Sequence, residues 1–422
     1  MNISKRIQIL TANGWGLLAI ASLILASLLA ILLIAMRLPH SPLASNGIEA
    51  FHGVLVLHVT LSFLIWLTAS VCQLTHSRLL KDQGQPLSLM AGLGLLLVLM
   101  SFFLPSYNPV PLDYFPLSTS WCFLLGLGLY LIAVAITALR GLLSQAGDNS
   151  AWLLRMALAC LLLAMATPAL LYGQLPVNLD PLSGYQRLLW AAGHIYVCAV
   201  GSLLAALWLK PGNHSLPIKL AGTIPPIAAV LTLGYALWQG TVTQPQLHHD
   251  LFTSLMMYAS CAPLLLVVLM DLKPLLHDRI SILAGGILAL GLLQGAFMTY
   301  GTLTVPAHYH AMLGLTNLLL FRALLTQTQT TAPLGWYGSS ILLVSLSLWF
   351  LGSFGAARKV TSGYIWVVDS LQYLLYGSLA VGGLLMLATT ATICLKIAGQ
   401  LRRHSPSRVG HKLRPLTAPA DN

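Results

Sequence analysis

The sequence predicts an all-α polytopic membrane protein with twelve transmembrane helices, and three observations carry that prediction. Of the 422 residues, 57% are hydrophobic and only 7% charged, with a mean hydropathy of +0.82. No soluble fold of this size hides so much apolar surface, so the bilayer is the expected solvent. Apolar runs of about 18–25 residues, the length that spans hydrocarbon, recur from end to end. Lysine and arginine, finally, collect in alternate connections, as the positive-inside rule requires.

Residues 1–14 form a short basic cytoplasmic start. The first run, Trp15–Met36, follows it without a cleavage-like small-residue site, so it reads as a helix of the series and not as a signal peptide. Next come Phe51–Thr75, Leu87–Leu104, Thr119–Leu139, Ala151–Leu171 and Leu188–Leu209. The second half supplies Ala221–Gly240, Leu251–Met270, Ile280–Tyr300, Ala307–Leu325, Leu334–Leu351 and Leu371–Ile397. Residues 15–397 are thus one membrane domain. Residues 398–422 form a basic cytoplasmic tail, solvated and suited to anionic lipid. Six cysteines without a CxxC spacing mostly fall inside runs and read as small buried apolar residues.

With both termini inside, Lys5, Arg6, Arg78, Lys81, Arg140, Arg155, Lys210, Lys219, Lys273, Arg279, Arg322 and the tail fall on the cytoplasmic side. Arg37, Arg187, Arg358 and Lys359 fall outside. The formal net charge of +11 is therefore a matter of orientation, and nothing in it asks for nucleic acid.

The histidines carry the chemistry. Histidine within a span is uncommon and faces a partner inside the bundle. His58 lies roughly 10 Å down the second span from its outer end, at 1.5 Å per residue. His194 enters the sixth span to a similar depth. His248 and His249 follow the seventh span, in QLHHD, and His308 and His310 open the tenth, in VPAHYH. Four distant segments thus bring six histidines to one level. Neutral imidazole ligates copper and haem iron. The adjacent pair His248–His249 could share one copper with His194. His308 and His310, about 200° apart on a helix, could each take one of two haems. His58 would close the second axial position of one haem and leave the other open to a gas.

With these residues assembled, the chain resembles subunit I of the haem–copper oxidase superfamily. LHVTLSFLIW around His58 resembles the second-helix haem ligand and WAAGH, residues 190–194, the sixth-helix copper ligand; the HH pair and VPAHYH complete the pattern. The resemblance covers roughly residues 14–397 as the family's twelve-helix order, while its specific motifs occupy only about thirty residues. It implies a haem–copper oxidase subunit I-like bundle with two haems and one copper ion, CuB. His58 and His310 would ligate the low-spin haem, His308 the high-spin haem, and His194, His248 and His249 the copper. Arg358 and Lys359 would stand beside the haem propionates, as the family's basic pair does. It further implies a place in the bacterial inner membrane and electrons arriving on the outer side from cytochrome c or a separate donor subunit, since the chain has no CxxCH of its own.

Departures bear on the substrate. Oxygen-reducing members carry a tyrosine joined to a copper-ligand histidine at positions that here hold Cys198 and Val242, and Tyr196 lies on the other face of its helix. Nitric oxide reductases lack that tyrosine but place glutamates near the metals; the only glutamate here is Glu49, and the acid nearest the pair is Asp250. No charged residue marks a proton channel in mid-span, leaving hydroxyl routes through Thr60, Ser62, Thr253, Ser254 or Tyr258. Reduction of O2 is the expected activity and of NO the alternative. A haem-binding transporter or assembly protein without turnover is the reading from another class.

Overall fold

The computed structural model describes residues 14–38, 41–43, 47–80, 85–145, 147–175, 177–209, 214–239, 254, 256–270, 278–325, 331–361 and 369–403. The expected copper ligands His248 and His249, together with Val242, Asp250, Thr253 and the tail beyond Arg403, lie outside the described residues.

In chain order the helices are α1 (Gly14–Arg37), α2 (Gly47–Leu80), α3 (Gln85–Ser101), α4 (Trp121–Leu143), α5 (Asn149–Tyr172) and α6 (Pro181–Trp208). A short turn, Leu216–Ala221, leads into α7 (Ile224–Gln239). Then follow α8 (Met256–Met270, opening with a π-helical turn), α9 (Arg279–Phe297), α10 (Thr304–Leu324), α11 (Thr331–Ser353) and α12 (Asp369–Arg403). Among the described residues, nine helices are long and apolar enough to cross a membrane by length and composition, and the chain is an integral membrane protein. Helices α3 and α8 are shorter. Helix α10 is not among the nine, because two histidines, Asn317 and Arg322 dilute its apolar run of 21 residues.

Helix starts follow local rules. Asp148, Asp180 and Asp278 each precede a helix and accept a backbone N–H of its first turn, from Ala151, Ser183 and Ile280. At α6, Asp180 and Pro181 start the helix seven residues before the apolar run at Leu188. Its first two turns, PLSGYQR, are too polar to register as a span. Packing is sequential, α3 on α4, α5 on α6, α9 on α10, α10 on α11 and α11 on α12, and α12 returns to α1. Gly94 on α3 and Gly126 on α4 meet backbone to backbone, where either Cβ would strike the other helix.

The connections α1–α2, α3–α4, α5–α6, α9–α10 and α11–α12 share one end, called upper below. The α3–α4 connection is a hairpin in which Pro109–Val110 pairs antiparallel with Leu117–Ser118. It is pinned to α2 twice: Tyr107 donates its hydroxyl to the Gly53 carbonyl (3.2 Å) and Thr60 donates to that of Pro116 (3.3 Å). Pro111 and Pro116 bracket its tip, Leu112–Phe115, which points down among the helices.

Candidate functional site

Helices α1, α2, α10, α11 and α12 enclose an apolar cavity of about 270 Å³, and both His58 and His310 line it. The His58 Nδ1–H donates to the Ala26 carbonyl (2.9 Å) and the His310 Nδ1–H to that of Pro306 (2.7 Å). A carbonyl can only accept, so each neutral ring keeps its lone pair on Nε2. Metal-binding histidines are oriented in this way. His52, one and a half turns above His58, is used differently. Its Nε2 donates to the Lys359 carbonyl (3.0 Å), and it does not line the cavity.

Directly after His58, α2 widens into a π-helical stretch, Thr60–Ile65. The wider turn frees carbonyls, and two tyrosines take them: Tyr196 donates to Phe63 (2.8 Å) and Tyr130 to Ile65 (2.9 Å). Tyr196 is thereby committed to α2. It points away from the face that carries His194, as two residues of helix require.

The upper end of the cavity is charged. Asp113, from the hairpin tip, pairs with Arg358 and with Lys359 (2.7 Å), and also accepts from Tyr300 (3.2 Å) and Gln186 (3.4 Å). Its side chain is 9% exposed. Burial pushes the carboxyl up, but the Lys359 hydrogen bond and the Arg358 and Lys359 charges outweigh it and hold it below the usual carboxylate range. The basic pair is fixed through its backbone. Arg358 N–H donates to the Gly301 carbonyl (2.9 Å), and Arg37 reaches the Ala357 carbonyl (3.1 Å). Lys359 adopts φ of 62°, a left-handed conformation uncommon outside glycine, held by the His52 bond to its carbonyl. Arg37, Arg358 and Lys359 against Asp113 leave two positive charges facing the cavity.

The other histidines point elsewhere. His308 turns its Nδ1–H to the Gly291 carbonyl of α9 (2.8 Å), with Gly295 so near that a Cβ there would lie 2.9 Å from its ring. His308 and His310 therefore serve opposite sides of α10. His194 is buried, donates Nδ1–H to the Trp190 carbonyl (2.8 Å), and lies between the rings of Trp190 (4.2 Å) and Tyr114 (4.9 Å). Of the three expected copper ligands it alone falls among the described residues, and within these no group of three or more His, Cys, Asp or Glu side chains is arranged to hold a metal ion. Cys198, one turn along α6, is buried with a free thiol.

Four residues of this site escape sequence reasoning: Arg37, Asp113, Tyr114 and Tyr309. Asp113 did leave a trace. The chain has only ten acidic residues, and this one sits between prolines in PLDYFP.

No family model matches the chain. The uncharacterized protein RP382 of Rickettsia prowazekii (strain Madrid E) is 25% identical over 240 residues, which are 47% of this chain and 46% of that protein, so the match spans about half the length of the relative. Among solved structures, a heme-copper terminal oxidase determined by cryo-EM as a dimer superposes with a TM-score of 0.58 over 95% of this chain and 84% of its own, at 15% identity. Identity that low speaks for architecture alone, and on that basis the chain shares the overall fold of that structure.

Proposed function

We propose that the chain is the catalytic subunit of a haem–copper respiratory oxidoreductase, a twelve-span protein with both termini in the cytoplasm, that reduces O2. The observation carrying this reading is the cavity. Two imidazoles with Nε2 lone pairs line one apolar chamber whose upper end carries Arg37, Arg358 and Lys359 against one described carboxylate, Asp113. An apolar, planar dianion with a metal that takes two nitrogen ligands fits those residues, and a haem with its two propionates has that chemistry.

His58 and His310 would hold the low-spin haem, with Arg37, Arg358 and Lys359 receiving its carboxylates. His308 would hold the high-spin haem on the α9 side, and His194 with His248 and His249 the copper. When bound, the haems and copper supply one-electron transfer and the reduction of a small gas. The chain's own part is to fix ring orientation through backbone carbonyls, keep water out with apolar walls, and balance charge at the upper end. Electrons would enter at that end, from cytochrome c or a donor subunit.

One observation favours NO as the alternative substrate: Tyr196 spends its hydroxyl on Phe63, and the turn below His194 carries Cys198. The test is an absorption spectrum and metal analysis of the purified protein, then turnover with each gas. Haem bands, copper and faster consumption of O2 are expected. Faster consumption of NO would exchange the two substrates, and a colourless, metal-free protein would overturn the reading.

A further inference from the structure

The hairpin tip does something that neither set of histidines explains. Three consecutive residues reach three different partners. Asp113 enters the basic cluster, Phe115 stacks on Phe63 (5.8 Å), and Tyr114 between them lies against the His194 ring (4.9 Å). The Tyr114 ring occupies the space over Gly193, where any Cβ would collide with it. Its other side faces the Tyr309 ring, with centroids 6.3 Å apart and planes at 53°. Tyr309 stands between His308 and His310 in sequence and projects between them around α10, about 100° from each. One ring thus lies between the histidine of α6 and the segment of α10 that carries two more.

We propose that Tyr114 is a positioning residue, a wedge between α6 and α10 that sets the separation of His194 from the His308–His310 segment. This rests on the function proposed above. Its physical basis is that a side chain anchored on both flanks fixes a distance that two independently packed helices would leave soft. The anchors are separate: the Gly193 notch on one flank, the Tyr309 ring on the other, and the Asp113 ion pairs holding the tip itself. The wedge also accounts for Gly193, since alanine is the better helix former at an interior helical position.

Electron paramagnetic resonance of the oxidised, metal-loaded protein tests this without reference to turnover, because two nearby paramagnetic ions couple and lose their separate signals. In the wild type the copper signal should be suppressed although elemental analysis finds copper. Tyr114→Phe keeps the ring and should keep the suppression. Tyr114→Leu should retain haem and copper yet release a signal accounting for all the copper. Gly193→Ala, which pushes the ring from the opposite side, should do the same, and it decides the matter where the leucine variant fails to fold. Suppression as strong as wild type in both Tyr114→Leu and Gly193→Ala would overturn the proposal. So would an unsuppressed wild-type signal with haem and copper both present. A wild type lacking haem or copper would instead count against the proposed function.

Discussion

The two halves of the bundle build their candidate sites by different means. Around α1, α2 and α10–α12, the chamber is made of helix faces, one imidazole oriented by a carbonyl of α1 and the other by the preceding turn of α10, and its charged end is closed by loops bonded to one another. Around α6 and α9, His194 and His308 project singly, and the remaining expected ligands, His248 and His249, lie outside the described residues. Helix faces packed on one another define the chamber. A copper site assembled from residues distant in sequence relies on neighbours such as Tyr114 to bring its parts together. The first half should therefore keep its geometry without metal, and the second should depend on it.

The largest effect separating the halves should come from copper. Replacing His194, His248 or His249 with alanine should take copper towards zero per protein and abolish gas reduction, while the low-spin haem spectrum stays. Copper at wild-type content in all three variants would remove the second half of the comparison.

Next in size is the ion cluster. Asp113→Asn leaves Arg358 and Lys359 facing each other without their carboxylate and should destabilise the protein by about 3 kcal/mol, the low end for breaking a buried pair. The folded-state value of Asp113 is depressed, so its contribution is complete above the unfolded aspartate value of about 3.9 and is lost as pH falls through the folded value. The gap between wild type and variant in thermal unfolding should therefore be flat from about pH 5 upward and close in acid. A gap that widens in acid would contradict the ion-pair assignment.

A smaller effect should appear in the low-spin haem potential. A nearby cation favours the state with the extra electron, so Arg358→Gln should lower the midpoint, on the scale of tens of millivolts, and Asp113→Asn should raise it. Potentiometric titration showing no change in either would place the cluster away from the haem. Smallest of all, Tyr196→Phe should cost about 1 kcal/mol through the bare Phe63 carbonyl. Copper should stay unchanged in that variant. Copper loss would put Tyr196 at the metal instead.

Much of this architecture is legible in the sequence. Apolar runs locate most helix cores, α10 among them in spite of its polar residues. The opposed directions of His308 and His310 follow from helical geometry alone. What is not legible depends on tertiary partners. The π-helical stretch after His58 needs Tyr130 and Tyr196 to satisfy its carbonyls, and neither lies near it in sequence. The early start of α6 rests on Asp180 and Pro181, which hydropathy cannot see. Arg358 and Lys359 stand out as exceptions to the charge rule, yet their partner Asp113 is 245 residues from Arg358, and nothing in the sequence pairs them.

The central claim is that His58 and His310 hold one haem between them, and the low-spin ferric signal of the oxidised protein tests it most directly. The wild type should show this signal, and His58→Ala and His310→Ala should each abolish it while the high-spin haem remains. His52→Ala, which disturbs only the Lys359 loop, should leave it in place. A low-spin signal that survives either cavity variant, or that disappears with His52 alone, would contradict the account.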